Sequence, residues 1–184
     1  MRIVIRLVAL ALVLLPAVVI AEPLTVSGLA FPDSVGGFAR GEVQDFEKAH
    51  PGLGQSIAYE SGPWRANVYV YDLRRSSIPD DPASDAVKQE FEQAKGDVFK
   101  ARQQGVWQKA ELDRTFTLPE QGTPRFSCAS FTLVSKANVA IGSTLCLTAS
   151  KGKFVKFRVT GVGTDPGEPL RFIEAWAPLL TPGA

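Results

Sequence analysis

Residues 125–161 of the chain read RFSCASFTLVSKANVAIGSTLCLTASKGKFVKFRVTG, and no other stretch constrains the geometry of the chain so closely. It contains both cysteines of the chain, and turn-forming residues divide it into three consecutive strands. Cys128 and Cys146 are symmetric about Ala137, so a hairpin that turns there places them directly opposite each other. Opposed residues of antiparallel strands lie within the few ångströms that a disulfide requires. The sequence therefore predicts a hairpin closed by a Cys128–Cys146 disulfide.

The third strand of this stretch has one apolar and one cationic face. Three apolar side chains share the first face, namely Val155, Phe157 and Val159. Lys156 and Arg158 share the second face. A three-residue turn at 151–153 would set the apolar residues opposite Ala149, Leu147 and Leu145. The cations would then lie beside Cys146 and Thr148.

This arrangement predicts a cationic patch of Lys156 and Arg158 next to the disulfide, where an anionic ligand or an acidic partner surface could bind. The alternative is a solvated sheet face, or salt bridges from these cations to acids elsewhere. Both cysteines are better used with each other than for a metal.

The first residues indicate export. Arg2 and Arg6 provide a positive start, residues 7–20 form an apolar run, and Ala21 ends a small-residue cleavage site before Glu22. We therefore predict a signal peptide at residues 1–21, a mature single domain at residues 22–184, and a periplasmic or secreted location. The alternative is an uncleaved membrane anchor, although the run is shorter than a bilayer span requires.

Charge and cysteine content limit the function classes. Without Arg2 and Arg6, the chain has 18 Lys plus Arg against 19 Asp plus Glu, which argues against a nucleic-acid binder. The only histidine, His50, lies in a His-Pro-Gly turn, so neither a metal site nor a histidine-activated nucleophile is expected. Asp80, Asp81 and Asp85 suit a helix start better than a calcium site. No cofactor is predicted.

Two helices are predicted. Asp81 can cap the first, Pro82 suits its first position, and the helix should end near Gly105. Its apolar stripe recurs at helical spacing and comprises Val87, Phe91, Ala94, Val98 and Ala101. The second helix covers Leu170 to Leu180, with Trp176 on its apolar side.

Strand signals cluster on both sides of the first helix instead of alternating with helices. Outside the opening stretch they cover residues 38–46, 55–60, 65–72 and 107–118. Such clustering predicts an α+β fold: an antiparallel sheet of about six to seven strands, flanked by the long central helix and the C-terminal helix as an αβα sandwich.

Several motifs resemble a family of exported bacterial proteins. They are the P-D-x-x-G-G opening that begins at Pro32, the VYVYD strand at residues 68–72, and the F-x-K-x-R-x-T strand at residues 154–160. The order of elements resembles the αβα sandwich of the PsbP-type superfamily, which includes the Ran-binding protein Mog. The resemblance implies an accessory or binding protein instead of an enzyme, and it assigns no role to any residue.

The leading interpretation is thus an exported, non-catalytic binding or accessory protein of the cell envelope, whose partner is an envelope protein or a small ligand. The alternative is a small exported enzyme that uses Asp, Glu, Tyr or Lys for acid–base chemistry. The sequence leaves the oligomeric state open.

The export prediction can be tested by N-terminal sequencing of the protein recovered from the envelope or medium. The mature chain should begin at Glu22, because the cleavage site ends at Ala21. A mature protein that still begins at Met1 would overturn the prediction.

Overall fold

Ten strands and two helices make up the described part of the chain, residues 23–163 and 165–180, in a computed structural model. The predicted signal peptide, residues 1–21, lies outside the described residues. The elements are β1 Leu24–Val26, β2 Leu29–Phe31, β3 Ser34–Val35, β4 Phe38–Asp45, β5 Gln55–Ser61, β6 Trp64–Tyr71, α1 Asp85–Gln103, β7 Lys109–Leu118, β8 Phe126–Val134, β9 Ala140–Ser150, β10 Lys153–Gly161, α2 Glu168–Glu174 and a 3-10 turn Pro178–Leu180.

Eight of the strands form one antiparallel sheet in the order β3-β4-β5-β6-β10-β9-β8-β7, and β1 and β2 form a separate hairpin. The last strand, β10, is inserted between β6 and β9 near the middle of the sheet. A strand in this position has neighbours on both edges and covered faces on both sides. Five of the nine residues of β10 are buried, and the other four are half-buried.

The predicted αβα sandwich with six to seven strands is wrong. Strands account for about 45 % of the structure, eight of them in the main sheet, and only two helices are present among the described residues. The C-terminal helix is only seven residues long, Glu168–Glu174, and a 3-10 turn at Pro178–Leu180 follows it, so one continuous helix from Leu170 to Leu180 is not formed. The short strands before β4 were also not expected.

The predicted disulfide hairpin is confirmed. Val134 pairs with Ala140, which centres the β8–β9 hairpin on Ala137, and Cys128 lies directly opposite Cys146. The two cysteines are joined by a disulfide, with their Cα atoms 4.1 Å apart. Both are fully buried.

The predicted three-residue turn between β9 and β10 is wrong, and the register changes with it. Ser150 pairs with Lys153, so the turn contains only Lys151 and Gly152, with φ of 52° and 70°. Two consecutive residues with positive φ are typical of the tight hairpin turns that match strand twist. A shift of one residue moves a whole strand's side chains to the opposite face. Phe157 therefore pairs with Cys146, and Lys156 pairs with Leu147.

Helix α1 covers the sheet face that carries Lys156. Ser84 caps it by accepting a hydrogen bond from the Val87 N–H at 3.3 Å. The predicted cap, Asp81, instead accepts from Ala83 in the preceding turn. Four members of the predicted stripe are buried against the sheet, namely Val87, Phe91, Ala94 and Val98.

The other sheet face carries the disulfide and is covered by α2, the 3-10 turn and the β1–β2 hairpin. Its centre is aromatic: Trp176 lies 5.2 Å from Phe31, 5.6 Å from Tyr59 and 5.7 Å from Phe157, between ring centroids. All four side chains are fully buried, so this layer is a hydrophobic core.

Replacing both Cys128 and Cys146 by alanine should lower the free energy of unfolding by roughly 3 kcal/mol. The reason is that the disulfide joins residues 18 positions apart in the sequence and so restricts the unfolded chain. Denaturant unfolding of the variant and the parent measures the difference. Thiol titration of the denatured, unreduced parent should find no free thiol. Two titratable thiols, or equal stability of the two proteins, would contradict this prediction.

Candidate functional site

Lys156 and Arg158 lie beneath α1 instead of on an exposed face. Both are half-buried, and the register sets them opposite Leu147 and Leu145 on β9 and opposite Tyr69 and Asn67 on β6. The disulfide faces the opposite side of the sheet. The predicted cationic patch next to the disulfide is therefore wrong in its location, although the two cations do share one face.

The ammonium group of Lys156 lies between two aromatic rings. Its Nζ atom is 4.9 Å from the ring centroid of Tyr69 and 5.0 Å from that of Tyr71. The negative faces of such rings attract a cation. Burial nevertheless lowers the pKa of Lys156, and the negative charges of Glu90 and Asp97 oppose that shift. The protonated form of this amine is thus less favoured than that of a solvated lysine.

Arg158 occupies the next position on the same face. Its Cζ atom is 5.6 Å from the ring centroid of Phe131. Burial lowers the pKa of Arg158 to about 10, and Tyr69 partly offsets this effect. The guanidinium group still carries its charge at neutral pH, because neutral pH lies well below that value.

A buried carboxylate completes this polar layer. Glu90 is 7 % exposed, and it accepts a hydrogen bond of 2.6 Å from the Tyr71 hydroxyl. Burial, followed by the charge of Glu90, raises the pKa of Tyr71. Sequence reasoning missed Glu90 because it treated α1 as an apolar stripe against a polar outer face. Glu90 follows Val87 by three residues, and that spacing places it within the arc of the stripe.

The two cations open onto a small cavity between the sheet and the C-terminal half of α1. Its volume is about 190 Å³. Helix α1, the loop after it and three strands line this cavity, through Asp97, Val98, Ala101, Trp107, Tyr69, Leu145, Lys156 and Arg158. We call it the cation pocket.

Neither cation in the cation pocket has a close counter-charge. Within residues 23–163 and 165–180, no carboxylate oxygen lies within 4.0 Å of the Lys156 amine or the Arg158 guanidinium. Asp97 lies at the exposed rim, where its Oδ1 accepts from Gln93 at 3.0 Å and from Lys100 at 2.9 Å. The two cations are therefore positioned to donate hydrogen bonds to an anion in the pocket.

A larger cavity, of about 520 Å³, lies at the other end of α1, but its acids already have structural roles. Asp80 accepts the N–H groups of Lys151 and Gly152, both at 2.9 Å, and Asp81 accepts that of Ala83 at 2.8 Å. This cavity therefore offers weaker evidence for a site than the cation pocket.

The remaining sequence candidates lie away from the cation pocket. His50 is exposed in its turn, where its N–H bonds the Phe46 carbonyl at 2.8 Å. Asp85 lies exposed in the first turn of α1. Across the described ranges, no group of three or more His, Cys, Asp or Glu side chains is arranged to hold a metal ion. No helix in those ranges is long and apolar enough to cross a membrane.

Comparisons with known proteins leave the family open. No protein-family model matches this chain, and searches of curated proteins and of solved structures found no match. The resemblance to PsbP-type proteins therefore stays a prediction from motifs.

The Glu90–Tyr71 hydrogen bond predicts a contrast between two neighbouring tyrosines. Tyr71→Phe removes the hydroxyl that serves a buried carboxylate, which should lower the free energy of unfolding by about 1–3 kcal/mol. Tyr69→Phe is the matched control, because it lies under the same lysine and its hydroxyl has no hydrogen bond within the described residues. Denaturant unfolding should show a much smaller loss for the control. Equal losses would show that the hydrogen bond is unimportant.

All three tyrosines of the chain should resist ionisation in the native protein. Burial raises the pKa of Tyr59 to about 12 and also raises the pKa of Tyr69 and of Tyr71. Their contribution to stability is fully present below pH 10, the unfolded value, and is lost as the pH rises through the folded values. Phenolate absorbance should therefore stay low in the native protein at pH 10 and rise on denaturation. Half-ionised tyrosines in the native protein at pH 10 would contradict this expectation.

Proposed function

We propose that this protein is an exported, non-catalytic binding or accessory protein of the cell envelope, and that it binds a small anionic ligand through Lys156 and Arg158. The observation that carries the proposal is the pair of half-buried cations without a close carboxylate, side by side at a cavity. The disulfide supports export, because such bonds persist in oxidising compartments.

The energetics of burial favour a ligand over a purely structural role for this pair. A cation taken out of water loses hydration, and a structural cation normally regains that loss from a hydrogen-bonded carboxylate. Here the aromatic rings provide part of the compensation for Lys156 and Arg158. An anion in the cavity would provide the rest through charge-assisted hydrogen bonds.

One observation favours the second candidate, a small enzyme. The lowered pKa of Lys156 means that a larger fraction of its amine is unprotonated at a given pH than in an ordinary lysine, so it is more available as a general base, and Tyr69 and Asp97 line the same cavity. If Lys156 acts in this way, a lysine-directed acylating reagent should modify it at a lower pH than it modifies exposed Lys48. Peptide mass mapping measures the difference, and slower modification of Lys156 at every pH would rule out a base of this kind.

Anion binding can be tested with inorganic phosphate and acetate as probes. Both should perturb the indole resonance of Trp107, which lines the cavity, in the parent protein. The double variant K156Q/R158Q should lose at least about tenfold in affinity, because two charge-assisted hydrogen bonds disappear. The control variant K48Q/K109Q removes two exposed cations and should bind like the parent.

The result distinguishes anion binding by Lys156 and Arg158 from a purely structural role of these two residues. Saturable binding that is lost in K156Q/R158Q and retained in the control would support the proposal. Binding that is equal in the parent and both variants, or no binding of either probe, would overturn it. Circular dichroism of K156Q/R158Q establishes that the variant is folded before the comparison is made.

A further inference from the structure

We propose that the ligand of the cation pocket is a small monocarboxylate with a planar, apolar body, an aromatic carboxylate being the simplest example. This inference rests on the proposed anion-binding function and adds the chemical class of the ligand. Three properties of the cation pocket lead to it: its charge, its apolar walls and its size.

The charge of the site favours a single negative charge. Lys156 and Arg158 line the cavity, and Asp97 at its rim is bonded to Lys100. Glu90 acts on Lys156 from nearby, so the group comprises three cations and two acids. One carboxylate brings this group to neutrality, whereas a phosphate dianion leaves an excess negative charge in a partly dry site. The guanidinium group also matches the two oxygens of a carboxylate in a bidentate arrangement.

The walls of the pocket suit an apolar body attached to the carboxylate. Val98 and Ala101 on α1 and Leu145 on β9 line it with aliphatic groups. The rings of Trp107 and Tyr69 line it as well. Aromatic side chains bind a flat ring better than its contact area alone implies, by about 0.5–1.5 kcal/mol. A sugar would leave its hydroxyls against these apolar walls without partners.

The volume of the pocket restricts the ligand further. Pockets for drug-sized ligands occupy on the order of 300–1,000 Å³. The cation pocket, at about 190 Å³, is smaller than that range. It has room for a single ring or a short branched chain, and it is too small to enclose a nucleotide or an oligosaccharide.

A series of matched compounds tests the inference by isothermal titration of the mature, disulfide-bonded protein. Benzoate should bind about tenfold more tightly than acetate, because only benzoate fills the apolar part of the cavity. Benzamide has the same ring without the charge and should bind at least about tenfold more weakly than benzoate. Cyclohexanecarboxylate should fall between acetate and benzoate, because its body is apolar and not planar.

Two variants locate the binding groups. Trp107→Leu should weaken benzoate by about threefold to tenfold and leave acetate unchanged, because only the ring contacts the indole. Arg158→Gln should weaken both carboxylates. The intact near-ultraviolet circular dichroism of each variant shows that the native packing is retained.

The possible results distinguish this inference from the function on which it rests. If phosphate or acetate binds as tightly as benzoate, and K156Q/R158Q abolishes binding of all three, the anion site stands and the ligand class is wrong. If benzamide binds as tightly as benzoate, the ligand class is also wrong. If no anion binds, or if K156Q/R158Q binds anions like the parent, both proposals are wrong.

Discussion

A turn of two residues, Lys151 and Gly152, controls the relation between the two faces of the sheet. It fixes which side of β10 meets each face of β9, and β10 is a central strand with a packed layer on both sides. The turn is itself held from a distance: both oxygens of the Asp80 carboxylate accept its N–H groups, and the Lys151 ammonium donates to the Gly28 carbonyl. A turn one residue longer would have exchanged the apolar and cationic sides of β10 relative to β9.

Because of this register, the two faces of the sheet differ in composition. One face carries the disulfide and an aromatic core under α2, with Phe157 at its centre. The other carries Lys156 and Arg158 under α1, together with the buried Glu90 and the apolar residues of that helix. The first face has the composition of a stabilising core. The second contains two half-buried cations, whose loss of hydration disfavours folding. Residues that destabilise the fold in this way are typical of binding and catalytic sites.

Helix α1 contributes both to the packing and to the electrostatics of the second face. Its buried residues contact the sheet over most of its length, and Glu90 supplies a negative charge below the helix near Lys156. The Tyr71 hydroxyl satisfies one oxygen of that carboxylate, so the acid is held away from a direct ion pair with the lysine. The Lys156 amine therefore has no carboxylate within ion-pair distance among the described residues, and it lines the cavity.

The local features of the protein follow from patterns within short stretches of its sequence. The symmetric spacing of Cys128 and Cys146 about Ala137 is enough to predict their disulfide, because antiparallel pairing converts sequence symmetry into proximity. The apolar spacing of α1 is enough to predict its buried stripe, because a helix has a fixed period. The strands at residues 38–45, 55–61 and 64–71 were predicted to within one residue at each end, because turn-forming residues bound them.

The way in which these elements combine depends on contacts between residues that are far apart in the sequence. The three-residue turn was a reasonable prediction from the residues of the hairpin alone, because it paired apolar with apolar across β9 and β10. The sheet has a second partner for β10, however, and β6 presents Val68 and Val70 to one face and Tyr69 to the other. The Asp80 contact and this pairing lie far away in sequence, so no local pattern reveals them. They place Lys156 and Arg158 in a pocket beneath α1 instead of on an open surface, because the register of a central strand depends on both of its neighbours and on the contacts that hold its turn.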